Sequence, residues 1–201
     1  MAYVNYSFEK RRRDLEKKQK QAAKRLRKAE RKKGEGSEPP AFVISQTFEA
    51  PRELVWKAWT ERERLMEWFG PKGFTMTAAT LELRPGGMFH YCLRAPDGQE
   101  MWGQFVYREI VAPERIVLVS SFSDARGGIT RHPLSPDWPL QMLSTTTLTE
   151  QDGQTTVTVQ WEPLNETEDE HATFDAGHES MRMGWTGTFE QLADHLGRTS
   201  L

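Results

Sequence analysis

Downstream of residue 41 the apolar residues follow two periods: short alternating runs as far as Trp161, then a helical spacing near the C-terminus. Within 170–196, Phe174, His178, Met181, Trp185, Phe189, Leu192 and Leu196 recur at steps of four and three, which predicts one face of a single long α-helix. A helix with so heavy an aromatic stripe needs a broad apolar surface to lie on, and the runs before it read as strands that supply one. The first strand is 42–48, ended by Ala50-Pro51, where proline suits the first turn of a helix because its missing N–H has no partner to lose. That helix holds Val55, Trp56 and Trp59. Thr60 followed by Glu63 reads as a capping box opening a second short helix, with Leu65 and Trp68 pointing one way and a stop at Gly70-Pro71.

Residues 74–122 predict four strands separated by turn signals at 84–87 (RPGG), 95–98 (APDG) and 112–115 (APER). Connections this short make antiparallel hairpins. In the second of these strands Phe89, Tyr91 and Leu93 fall on the helix-facing side, with Met88, His90, Cys92 and Arg94 on a polar side. Residues 123–138 (SDARGGITRHPLSPDW) are too long and too rich in Gly, Pro, Ser and Asp for a hairpin turn, and are a candidate lid. Strands follow at 140–149 and 155–161, joined by Asp152-Gly153, with Val157, Val159 and Trp161 on one face of the last. No internal repeat is visible.

Charge divides the 201-residue chain again. Residues 1–36 carry fourteen Lys/Arg and five Asp/Glu, a net +9, whereas the remainder carries thirteen and twenty-four, a net −11. The acidic part also holds eighteen aromatic residues, each able to withdraw roughly 150–250 Å² from water, so a substantial core is available. One cysteine, Cys92, excludes an intrachain disulfide and favours a reducing compartment. There is no apolar run of membrane-spanning length and no uninterrupted apolar segment of a secretory signal near residue 1, so the expected location is cytoplasmic.

Residues 9–33 lack Gly and Pro and are dominated by strong helix formers, with Glu9/Arg13 and Glu16/Lys20 one turn apart. The expectation is a basic helical arm over 1–36, a linker at 37–41, one domain at 42–196 and a tail at 197–201. The seven-residue recurrence of Phe8, Leu15, Ala22 and Ala29 is too thin for a stable coiled coil. Two readings of the arm stand side by side. About 37 Å of positively charged helix suits nucleic acid, ribosome or an anionic membrane surface, and the same run suits a solvated charged segment.

The order strand, two short helices, six strands and a long C-terminal helix resembles the helix-grip fold of the START-like (SRPBCC) superfamily. Four stretches narrow it: 48–74 (FEAPRELVWKAWTERERLMEWFGPKGF), 83–89 (LRPGGMF), 107–117 (YREIVAPERIV) and 177–196 (GHESMRMGWTGTFEQLADHL). Together they resemble the branch named for the C-terminal domain of the activator of Hsp90 ATPase, over about 42–196. The resemblance implies an α+β fold in which a curved antiparallel β-sheet wraps a long C-terminal helix, with a mostly apolar cavity between them that takes hydrophobic molecules. It also implies a chaperone partner as one option. The eukaryotic activator has a separate N-terminal client-contacting domain, for which residues 1–40 are too short, so Hsp90 activation is not carried over. Gly184 and Gly187 lie inside the helix, where each costs about 1 kcal/mol relative to alanine, and close backbone approach or a cavity-shaping bend is the expected compensation.

The residues expected to bind ligand are Trp59, Phe69, Phe74, Phe89, Tyr91, Trp102, His178, Met181 and Trp185, since ligand sites are largely apolar with a few polar groups. The same aromatics also read as ordinary core. His178 interrupts the apolar stripe and is the candidate acid/base of a cyclase- or hydrolase-like alternative, or else a satisfied half-buried histidine. His171, Asp175 and His178 lie one turn apart, but without a further clustered ligand no metal site is expected. No cofactor is expected either. Cys92 has Arg94 nearby and nothing else that marks a nucleophile. Gly-x-Ser-x-Gly and Walker motifs are absent, and Pro85-Gly86-Gly87 is a turn. The sequence therefore predicts a binder of a small hydrophobic molecule, with a protein-interaction module and an enzyme as alternatives.

Overall fold

The structure, a computed structural model, describes residues 41–199. The basic arm at 1–36, nearly all of the linker at 37–41 and the last two residues of the tail lie outside the described residues. The chain divides into two units, Met1–Pro40 and Ala41–Leu201, and the described residues all belong to the second.

Strand β1 (Phe42–Phe48) leads into α1 (Arg52–Thr60) and α2 (Arg62–Trp68), after which come β2 (Thr75–Leu81), β3 (Met88–Arg94), β4 (Glu100–Val111) and β5 (Arg115–Ser123). A two-residue strand β6 (Ile129–Thr130) interrupts the long loop, and β7 (Met142–Gln151) and β8 (Gln154–Pro163) precede α3 (Glu168–Ala176) and α4 (His178–Thr199). The strands form one antiparallel sheet in the order β1-β8-β7-β5-β4-β3-β2, with β6 beside β5. Consecutive strands β1 and β2 therefore sit at opposite edges, and α1 and α2 carry the chain from one edge to the other. The β7–β8 turn has Asp152 and Gly153 at φ 54° and 80°, the paired left-handed conformation that an Asp-Gly hairpin turn requires.

The helices bury their apolar stripes against the sheet. Trp161 of β8, Trp185 of α4, Trp59 of α1 and Trp68 of α2 form a chain of ring contacts with centroid separations of 5.4, 6.2 and 5.1 Å. Phe48 meets Phe189 edge-on at 5.7 Å, and Val55, Val157, Val159 and Leu192 are fully enclosed. The Trp68 indole N–H is satisfied by the Ala58 carbonyl at 2.9 Å, so its burial leaves no orphan donor.

Several local expectations are corrected. The C-terminal helix is two segments that meet at Gly177, whose N–H donates to the Thr173 and Phe174 carbonyls. Thr60 does not cap α2. It is the last residue of α1, still helical, and its hydroxyl donates back to the Trp56 carbonyl at 2.7 Å, while Glu61 occupies the cap position without a side-chain bond. The capping box lies instead at Thr167 and Glu170, where each side chain accepts the other's backbone N–H. Strand β7 begins at Met142 rather than 140, leaving Leu140 exposed. Cys92 does lie opposite Phe89, Tyr91 and Leu93, but that side is not uniformly polar and open: the thiol is buried. Among the described residues no helix is long and apolar enough to cross a membrane.

Candidate functional site

The sheet and the C-terminal helices do not close completely. Between them lies a cavity of about 800 Å³, bounded by the inner faces of β3, β4 and β5, by Met142 and Trp161 of β7 and β8, by α3 and α4, and by the loop that follows β5. Among the described residues no Asp, Glu, Lys or Arg lines it.

Cross-strand register explains one wall. Tyr91 of β3 pairs with Gly103 of β4, and Gly103 pairs with Phe122 of β5, so the three form a row across the inner face. A Cβ on Gly103 would lie 2.6 Å from the Tyr91 hydroxyl oxygen and 2.7 Å from its ring. The missing side chain thus lets Tyr91 lie across β4 with its hydroxyl over the Gly103 position. His132, from the loop, continues that row: its ring meets Phe122 edge-on at 4.5 Å. The Leu134 N–H donates to His132 Nδ1 at 3.0 Å, which places the proton of the neutral ring on Nε2. Burial pushes the Tyr91 hydroxyl's pKa up and the His132 imidazole's down, so both stay neutral near pH 7.

The helical wall is made of what is small. Ala172, Ala176, Ser180, Gly184 and Thr188 recur every fourth residue beside the aromatic stripe and all line the cavity. A Cβ on Gly184 would meet nothing within 4 Å, so this glycine leaves open space and not the close contact expected from the sequence. Gly187 does provide close approach: a Cβ there would lie 3.2 Å from Lys72 Cβ, and Lys72 reaches on to Glu190 at 2.8 Å. The bend expected around these two glycines is found at Gly177, where the helix is broken.

The loop expected to act as a lid contributes His132, Ser135 and Trp138 to the wall and is tied to α3. Arg131 pairs with the Glu170 carboxylate and also donates to the Trp138 carbonyl at 3.3 Å. Trp138 packs on Phe174 at 5.8 Å, and a Cβ on Gly177 would come within 2.8 Å of its ring. The Arg131 guanidinium, followed by the Thr167 N–H, holds the Glu170 carboxyl below the usual range.

Of the nine residues singled out as ligand-binding, Phe69, Tyr91, Met181 and Trp185 reach the cavity wall with their inward-facing side chains. Trp102 also borders the cavity, but it pairs with Cys92 on the other side of the sheet and stacks on His90 at 4.9 Å. The remaining four do not line the cavity. Trp59 stacks behind Trp185, Phe89 is fully enclosed beneath Tyr91 at 4.9 Å, and Phe74 is half-buried against the core. His178 lies between Phe42 and Phe174 at 5.7 and 5.1 Å, with Nε2 buried and without a hydrogen bond. Asp175 approaches that nitrogen only to 3.9 Å. Gly103, Phe122, His132, Trp138 and the small-residue row escaped the sequence reading. A four-residue spacing of small side chains beside the stripe was the signal for the last, and the lid candidate pointed at the loop without selecting its residues. Among the described residues no group of three or more His, Cys, Asp or Glu side chains could hold a metal ion.

Comparison with known proteins agrees with this architecture. Solved structures with the same fold include a protein from Arthrobacter aurescens, 25% identical with a TM-score of 0.66 over 79% of this chain and 86% of that one. A protein from Staphylococcus epidermidis is 26% identical, with a TM-score of 0.63 over 82% of this chain and 93% of its own. The AHSA1 protein from Silicibacter pomeroyi shares the fold alone, at 15% identity and a TM-score of 0.62 over 80% of this chain and 99% of its own. No curated protein matches the chain. The family model described as "Activator of Hsp90 ATPase homolog 1-like protein" matches residues 49–197, which include both short helices, the sheet from β2 onwards, α3 and all but the last two residues of α4. The chain belongs to the family of activator of Hsp90 ATPase homolog 1-like proteins.

Proposed function

We propose that the domain binds a small, uncharged, largely apolar molecule in the cavity between the sheet and the C-terminal helices. The observation that carries this reading is a cavity of about 800 Å³ whose wall has no Asp, Glu, Lys or Arg among the described residues. Ligand sites commonly span roughly 300–1,000 Å³ and combine apolar walls with a few polar groups. An ion would lose its hydration there without gaining a countercharge. His178 stands off the cavity wall, so a hydrolase- or cyclase-like role for it has no geometric support.

Native mass spectrometry of the full chain purified from cells, followed by denaturation, tests the reading. Release of an apolar species supports it. Bare protein, together with no uptake of apolar dyes, removes it. A cytoplasmic location fits the single cysteine. The +9 charge of residues 1–36 supports a separate reading, an anionic partner such as nucleic acid, ribosome or membrane surface. Affinity for such a partner should fall with salt and disappear on deletion of residues 1–36. The family's description points to a chaperone partner, which pull-down with the full chain would capture.

A further inference from the structure

We infer that Tyr91 and His132 are paired hydrogen-bond donors for one acceptor oxygen, and that the ligand is therefore an otherwise apolar molecule bearing a ketone-type carbonyl. The inference rests on the cavity being a ligand site and adds the chemistry of the group recognised. Three observations carry it. Tyr91 lies across the side-chain-free position at Gly103, so its hydroxyl sits over β4, above the residue that pairs with Phe122, and not over its own strand. His132 packs on Phe122, with Nδ1 already occupied by the Leu134 N–H, leaving Nε2–H as the free donor. Among the described residues neither the Tyr91 hydroxyl nor His132 Nε2 has a hydrogen-bond partner, although both residues line the cavity.

Two neutral donors facing one space call for an acceptor and penalise a ligand that brings none. A carboxylate would satisfy them, but it would enter a wall with no Lys or Arg among the described residues and keep an unneutralised charge. A carbonyl oxygen has two lone pairs and no charge, so it satisfies both donors at once. Ser120, on the inner face two residues from Phe122, adds a hydroxyl that can rotate to either role.

The test uses fluorenone and fluorene, tricyclic molecules of nearly the same shape that differ by the carbonyl. Binding of each to the full chain is titrated by fluorescence, and the bound ketone's carbonyl stretch is read by infrared difference spectroscopy. The expected result is at least about tenfold tighter binding of fluorenone, the equivalent of one net hydrogen bond. Its carbonyl stretch should lie below its position in hydrocarbon solvent. Tyr91→Phe, and His132→Phe, which keeps a ring against Phe122, should each weaken fluorenone binding several-fold, raise the carbonyl frequency and leave fluorene unaffected. Equal binding of the two probes, or a carbonyl frequency that neither variant moves, overturns the donor pair while leaving the apolar site intact. Failure of both probes to bind overturns the site itself, and the donor pair with it.

Discussion

The two flanks of the C-terminal helix α4 are built from opposite materials. Towards α1, α2 and β1 the space is filled by rings, with Trp59, Trp68, Phe48 and Phe189 in contact and Leu192 fully enclosed. Towards β4, β5 and the loop, the helix offers Gly184 and Ser180, α3 continues the row with Ala176, and the sheet offers Gly103, so side chains stop short and a cavity remains. The difference teaches that one amphipathic helix divides two tasks by side-chain volume and not by polarity. Large residues fix the helix on the sheet, and small ones one turn apart hold the space open.

Truncation on the filled flank should do the most damage. Trp68→Ala removes a buried indole with its hydrogen bond to Ala58 and should cost about 3–5 kcal/mol in denaturant unfolding. Phe122→Ala, on the hollow flank, removes a half-buried ring and should cost about 1 kcal/mol. Equal losses at the two positions would erase the contrast.

The glycines of α4 sharpen it further. Gly187→Leu drives a side chain into Lys72 and should destabilise by about 1–3 kcal/mol. Gly184→Leu enters open space, so it should stabilise by about 1 kcal/mol through helix propensity while filling the cavity and lowering affinity for apolar probes by roughly tenfold or more. Thermal unfolding and probe titration of the two variants separate these effects. A Gly184→Leu protein that kept full probe affinity would show that the ligand sits elsewhere.

The smallest effect concerns the loop's tie to α3. The Glu170 carboxyl is held below its ordinary value near 4.5, chiefly by Arg131. The pair's contribution is therefore complete above that value and is lost as pH falls through the lowered folded value. Glu170→Gln should reduce stability by about 1 kcal/mol at neutral pH, since Arg131 is half-exposed. The gap to the wild type should close in acid. A gap in Tm that stayed constant down to low pH would exclude the ion pair as its source.

The strands and helices were largely legible because period, turn residues and length all pointed the same way: β1 has the bounds expected of it, and Asp152-Gly153 is the turn it reads as. The capping box was misplaced because Thr60 and Thr167 both offer the right residue three positions before a glutamate. Only the backbone conformation, helical at Thr60 and extended at Thr167, distinguishes them. The cavity was legible in kind but not in membership. Aromatic residues mark both core and lining, so Trp59 and Phe89 could not be separated from Phe69 and Tyr91 without the layer order. Gly103 and His132 were illegible for another reason: the first matters through its cross-strand register with Tyr91 and Phe122, the second through ring packing on Phe122 from the loop, and no local window contains either.

Gly177 brings the loop and the helix together through one atom that is missing. The helix break, the Trp138 ring over it and the loop that carries His132 meet where a Cβ would intrude to within 2.8 Å. A single methyl group there would work as a doorstop, holding the loop off the helix. The part of the wall that the loop contributes is thus set by the absence of a side chain, and the lone hydrogen of Gly177 is what lets the Trp138 ring lie against the helix break.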